Sequence, residues 1–240
     1  MIVDSTALPE QAVDDIVMSA FRAAGQRCSA LRLLCVQEDI ADTVLTMLVG
    51  ATDALVIGDP ADPATDVGPL IDAAALARIE QYLAALPGGA RVVHRATLES
   101  LCPTGHFCAP TVIELKSVRD LQREIFGPIL HVVRFPLSAW DELIEDIEAS
   151  GFGLTMGIHT RLTTRAQGIF ERSRVGNTYV NRNTVGAVVG VQPFGGEGLS
   201  GTGPKAGGPN YLQRFMVERV LTVNETAWGG NVDLLRRSPR

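Results

Sequence analysis

The chain has 240 residues, 46% of them apolar, and a net charge of −6. That is enough to bury the core of one large or two small domains. The basic residues are scattered except for Arg236, Arg237 and Arg240, which argues against nucleic acid as a partner. No apolar run reaches the roughly 18 residues of a bilayer span, so no membrane span is expected. The first twenty residues carry Asp4, Glu10, Asp14 and Asp15 instead of a basic signal region. Four cysteines are too sparse for a disulfide framework, and a reducing, cytoplasmic location is the expectation.

In chain order, Pro9 opens a helix over 9–24. Val13, Ile16, Val17, Ala20, Phe21 and Ala24 line one face, and Gly25 is its left-handed stop. Residues 31–36 read as a short apolar strand and 39–55 as a helix. Residues 58–70, with three prolines and three aspartates, read as a surface loop. A helix over 71–86 ends at Pro87-Gly88-Gly89, a strand follows at 91–94, and 96–110 are irregular. Residues 129–135 form a strand. Ser138 with Asp141 suggests a capping box opening a helix that carries Trp140, Leu143, Ile144 and Ile147. Strand 154–159, helix 163–174 and strand 177–180 complete the alternation. A glycine-rich loop occupies 186–208, and 217–223 are strand-like. Short apolar strands alternating with helices imply an α/β fold, a mostly parallel open sheet covered on both faces.

Cys28 stands between the stop of the first helix and the first long strand, a position suited to presenting a thiol at the lip of such a sheet. A nucleophilic cysteine works as thiolate. Arg27 favours that form, whereas carbonyl ends of an upstream helix oppose it. His94, His106, His131 and His159 fit no cysteine-protease signature. A small buried thiol at a helix–strand junction is the plainer alternative.

The segment Gly25-Gln26-Arg27-Cys28-Ser29-Ala30 resembles the catalytic-cysteine segment of the NAD(P)-dependent aldehyde dehydrogenases. Glu124-Ile125-Phe126-Gly127-Pro128 is similar to that family's E-x-F-G-P motif. Gly58-Asp59-Pro60 with Gly68-Pro69 is similar to its interhelical loop, and Pro193-Phe194-Gly195-Gly196 to its late loop. The four motifs stand in family order over roughly residues 1–225. Ser29, Gly186-Ala187 and the run from Phe194 to Gly208 are similar to the branch acting on glutamate semialdehyde (pyrroline-5-carboxylate).

The resemblance implies the following roles. Cys28 is the nucleophile, and its backbone N–H forms half of an oxyanion hole. Glu124 and Phe126 bind NAD. Ser29, Gly186 and Ala187 anchor the substrate carboxylate, and Phe194 walls its methylenes. Family members are about twice as long, and their amino-terminal half carries the cofactor domain and the general base. The expectation is therefore a catalytic domain over 1–215, with a flap strand and tail over 216–240 and an incomplete NAD site. Such a chain would turn over little alone and associate with a cofactor-binding half or with its own copies. A non-catalytic interaction module and a cofactor-free cysteine hydrolase are the competing functions.

Other signals carry less. Gly196-Glu197-Gly198-Leu199-Ser200-Gly201 spells G-x-G-x-x-G but lacks the strand before it and the helix after it. Lys205 follows Pro204, so no P-loop is present. Cys102, His106 and Cys108 lack standard zinc spacing, and no metal is expected. Cys35 reads as core, and Glu197 and Asp66 as solvated acids.

Overall fold

The computed structural model describes residues 1–98, 105–188 and 190–228. Runs rich in Val, Ile and Leu form the strands β1 (Ile2–Val3), β2 (Leu33–Gln37), β3 (Arg91–Arg95), β4 (Thr111–Leu115) and β5 (Ile129–Phe135). The two-residue β6 (Phe152–Gly153), then β7 (Thr155–His159), β8 (Asn177–Val180) and the short β9 (Glu197–Gly198) follow. Seven of them make one sheet in the order β3-β4-β5-β2-β1-β7-β8, while β6 and β9 pair apart. Every neighbour in the large sheet is parallel except β3–β4. Side chains alternate between the faces of a strand. Ile129, Leu130, His131, Val132 and Val133 are nonetheless all buried, so both faces of β5 are covered.

The covering helices are α1 (Pro9–Phe21), α2 (Glu38–Asp53), α3 (Ala73–Ala84), α4 (Trp140–Ala149) and α5 (Thr163–Arg172). Asp72 caps α3 by accepting the Ala75 N–H at 2.6 Å. α4 starts without the expected box. Ser138 lies in a 3₁₀ turn, Leu137–Ala139, and Asp141 instead pairs with Arg172. The reciprocal cap belongs to Ser117 and Asp120, which close a turn after β4. β4 itself, β1 and the β6–β9 pair are not evident from local pattern.

The first helix ends earlier than its apolar stripe suggests. Beyond Phe21 the chain tightens into a 3₁₀ turn, with Ala23, Ala24 and Gly25 at φ of 53°, 52° and 64°. This turn carries Gly25 against Gly127. A Cβ on Gly25 would lie 2.1 Å from the Gly127 carbonyl oxygen and 2.9 Å from that of Ala20. Only glycine satisfies both the handedness and the space. The 217–223 run is highly exposed and pairs with no strand among the described residues; a β-rich run becomes a strand only beside another edge.

His131, fully buried in β5, connects this core to the thiol segment. Its Nε2 lies 2.8 Å from the Tyr82 hydroxyl of α3, and its Nδ1 lies 3.0 Å from the carbonyl of Arg32. A carbonyl only accepts, so Nδ1 carries the proton and Nε2 accepts from Tyr82. Burial pushes the imidazole down to about 4, and burial also lowers His159.

Two outcomes follow. Unfolded histidine titrates near 6.5, so the stabilisation from a neutral His131 is complete above that pH and is lost as pH falls toward 4. The loss is on the order of 3 kcal/mol. Urea denaturation across pH 4–8 should show this slope, and His131→Gln should flatten it. Gly25→Ala should cost about 2 kcal/mol or more, seen as a lowered urea midpoint.

Candidate active site

A tight turn presents the thiol. Ala30 N–H donates to the Arg27 carbonyl at 3.1 Å, and Leu31 N–H donates to the Ser19 carbonyl of α1 at 2.9 Å. Cys28 is exposed at the tip, while Ser29 and Ala30 turn inward. Gln26 ties the same loop to the 58–70 segment: its amide donates to the Pro69 carbonyl at 3.2 Å and accepts the Ile71 N–H at 2.9 Å.

The 124–128 segment approaches from the other side. Ile125 is buried, and its carbonyl accepts the Gly127 N–H in a tight turn. The residues flanking it therefore point outward, with the Phe126 ring exposed and the Glu124 carboxylate 39% exposed. A cleft of about 380 Å³ lies between the two segments, lined by Cys28, Arg32, Glu124, Phe126, Thr184 and Ser200 among others. A wider groove of about 950 Å³ meets Glu124 and Phe126 from the side of α3 and the 60–71 loop.

Arg32, which sequence reading passed over, joins the segments. Its guanidinium donates to the carbonyls of Gly25 (2.6 Å), Gly127 (3.2 Å) and Arg27 (3.1 Å). It also pairs with Glu124 and lies 4.8 Å from the centroid of the Phe126 ring. Burial lowers the ionisation of this guanidinium, while Glu124 and the Cys28 sulfur act in the opposite sense. The Gly25 and Arg27 carbonyls beside the thiol are thus engaged by a cation.

The remaining expected residues are placed less uniformly. Thr184, buried, donates its hydroxyl to the Ser29 carbonyl at 2.9 Å, and its N–H donates to the Ser19 hydroxyl at 3.0 Å. This tethers the loop carrying Gly186 and Ala187 to the thiol turn. Gly186 has φ of 78° with open space where a Cβ would stand, and Ala187 is half-buried. Phe194 is half-buried and pairs through its backbone with Ala206. Asn177 brackets it, donating to the Pro193 carbonyl and accepting the Gly195 N–H. Cys28, Glu124 and Phe126 share the cleft, Ser29 packs beneath it, and Gly186, Ala187 and Phe194 stand off its walls.

No histidine among the described residues lines the cleft. His131 is neutral and spent on structure. His159 is buried with Nε2 lacking a hydrogen-bond partner among the described residues, and burial outweighs the pull of Asp15 3.6 Å away. His94 pairs with Asp53, and the His106 backbone pairs with Leu70.

Burial pushes the Cys35 and Cys108 thiols up to about 11, so both are poor nucleophiles at neutral pH. Cys102 lies outside the described residues. The G-x-G-x-x-G run folds on itself: a Cβ on Gly201 would lie 1.9 Å from the Gly196 carbonyl oxygen. Asp66, read as solvated, accepts the Val56 N–H at 2.9 Å and so fixes its loop.

The aldehyde dehydrogenase family profile matches residues 1–221. The chain is 54% identical over 224 residues to the bifunctional protein PutA of Klebsiella aerogenes, covering 91% of this chain and 17% of that protein. It is 38% identical to the 1-pyrroline-5-carboxylate dehydrogenase of Geobacillus sp. (strain WCH70), covering 92% of this chain and 43% of that one. The crystal structure of a bifunctional proline utilization A protein superposes with a TM-score of 0.87 at 52% identity, over 95% of this chain and 23% of that one. The chain thus spans under half the length of these relatives. No helix among the described residues is long and apolar enough to cross a membrane. With the family profile matching residues 1–221 and the fold superposing on that structure, the chain belongs to the aldehyde dehydrogenase family.

Proposed function

We propose that residues 1–215 form the thiol-bearing domain of an NAD-dependent dehydrogenase that oxidises glutamate γ-semialdehyde to glutamate. The observation that carries this reading is the exposed Cys28 sharing one cleft with Glu124 and Phe126, while the other two described cysteines are buried. The names of the relatives, a 1-pyrroline-5-carboxylate dehydrogenase among them, point to the same substrate.

In this reading the Cys28 sulfur adds to the aldehyde carbon, and the Cys28 backbone N–H takes the developing oxyanion. NAD, where bound, would supply the hydride acceptor for this oxidation, with Glu124 and Phe126 as the residues that would hold it. The thioester left on Cys28 is then hydrolysed by water, releasing the acid and restoring the thiol. The residues present suit the nicotinamide half of that cofactor. Both Arg32 contacts to Glu124 fall on Oε1, at 3.1 and 3.0 Å, and Oε2 takes no bond among the described residues. An open carboxylate oxygen beside an exposed aromatic ring matches a ribose hydroxyl next to a flat heterocycle. Ser29 and the backbone N–H groups of Gly186 and Ala187 hold the substrate carboxylate, and Phe194 covers its methylenes. The positive φ of Gly186 turns its backbone outward into open space, a geometry that admits an anion.

Residues 216–228 belong to a flap in this reading, and the tail, 229–240, lies outside the described residues. Phe215, Met216, Val217, Val220 and Leu221 are each at least 70% exposed, an apolar strip that suits association with a second copy or a cofactor-binding half.

Three measurements test these assignments. Iodoacetamide at pH 7 should modify Cys28 at least about tenfold faster than Cys35 or Cys108; preferential labelling of either buried thiol would remove Cys28 as nucleophile. Mixing the chain with a cofactor-binding domain of the family should yield NADH from glutamate semialdehyde, and Cys28→Ala should abolish it. Size-exclusion chromatography should show concentration-dependent association that Val220→Lys with Leu221→Lys suppresses; a monomer at every concentration would refute the flap.

A further inference from the structure

Arg32 is saturated in a particular way. Its guanidinium carries five N–H groups in a rigid fork, and every one of its nitrogens has an acceptor. Two on Nη1 face the Gly25 and Gly127 carbonyls, one on Nη2 faces the Arg27 carbonyl, and the remaining Nη2 and Nε groups converge on Oε1 of Glu124. The side chain is 12% exposed; its bonds to Gly25 and Gly127 are part-buried, and those to Arg27 and Glu124 lie toward solvent. One side of the fork is therefore spent on backbone, and the other holds a single oxygen of a carboxylate that reaches into the cleft.

The consequence is directional. A carboxylate on an exposed turn samples several rotamers, and each would aim its oxygens differently. Clamping Oε1 from two nitrogens leaves Oε2 as the oxygen offered to a ligand. Because the same guanidinium holds the carbonyl immediately before Cys28, the carboxylate and the thiol turn are fixed in one frame. We infer that Arg32 is the positioning residue of the nicotinamide site, acting through Glu124 by holding one carboxylate oxygen so that the other meets the ribose. This rests on the assignment of Glu124 as a cofactor ligand. Lysine would keep the charge but not the fork, since one nitrogen cannot span the carboxylate and three carbonyls.

The test uses the 240-residue chain and nicotinamide mononucleotide, with binding followed by ligand-observed NMR. Arg32→Met and Arg32→Lys are each combined with Glu124→Gln in a double-mutant cycle, with thermal unfolding recorded for every variant. A Gln at position 124 still accepts from Arg32 but no longer offers a carboxylate. Substituting Arg32 in the otherwise native chain should weaken binding about fivefold, within the coupling range of contacting residues. In the Glu124→Gln background the same substitution should change it less than about twofold.

Equal losses in both backgrounds would mean that Arg32 only supports the fold, and would overturn the inference. Unchanged binding in the Arg32 variants would also overturn it. If Arg32→Met does not fold, Arg32→Lys decides by the same criterion. Absence of nucleotide binding by the native chain would instead refute Glu124 as a nicotinamide ligand, and the inference with it.

Discussion

Two backbone segments that are about a hundred residues apart in the chain meet where Gly25 touches Gly127, and the site is built on that contact. It needs a glycine in the left-handed region, an early end to α1, and a cation to absorb the carbonyls crowded together there. Arg32 supplies the cation. Its cost is that of desolvating a guanidinium, which is tolerable because every guanidinium nitrogen finds an acceptor and one acceptor is charged. The thiol turn and the Glu124–Phe126 turn are consequently parts of one rigid unit.

A second tether works on the opposite side of the thiol. Ser19, Thr184 and the Ser29 carbonyl form a buried chain that joins α1, the thiol turn and the loop leading to Gly186. Buried hydroxyls left unpaired would be costly, so each fixes its neighbour. His131 performs the same service below Arg32, at the price of a charge it cannot hold. Polar groups near the cleft are thus mostly occupied in holding geometry. Cys28 and one oxygen of Glu124 are left to face outward. That division leaves an exposed sulfur and a free carboxylate oxygen facing one cleft.

The glycine-rich stretch after β8 shows why a motif alone misleads. Gly196 and Gly201 are required by close backbone approaches within the loop, and Asn177 and Lys205 pin it through the carbonyls and N–H groups around Gly195. The glycines serve tight packing of backbone on backbone. A dinucleotide fingerprint would present those N–H groups to phosphate at a helix start.

Local pattern was enough for α2, α3, α5, β5, β7 and β8, since each carries its own apolar period and boundary residues. It was also enough to single out Cys28, Glu124 and Phe126, because their flanking residues resemble a known family. β1 and β4 were not legible: the first is two residues long, and the second, Thr111–Leu115, gains its identity from Ile129–Phe135 alongside. The Ser138 box failed because α4 begins beyond it, at Trp140, so Ser138 falls inside the preceding 3₁₀ turn and not at the cap. Arg32 looked like any polar residue at the start of a strand, and Thr184 like any loop threonine. Their roles arise from acceptors supplied by segments far along the chain, and no local pattern encodes such a meeting. Sequence by itself determined the alternation of strands and helices and singled out Cys28, the exposed thiol among the described cysteines. Only tertiary structure decided which carboxylate, cation and hydroxyl surround it, because those contacts depend on backbone groups brought together by the sheet.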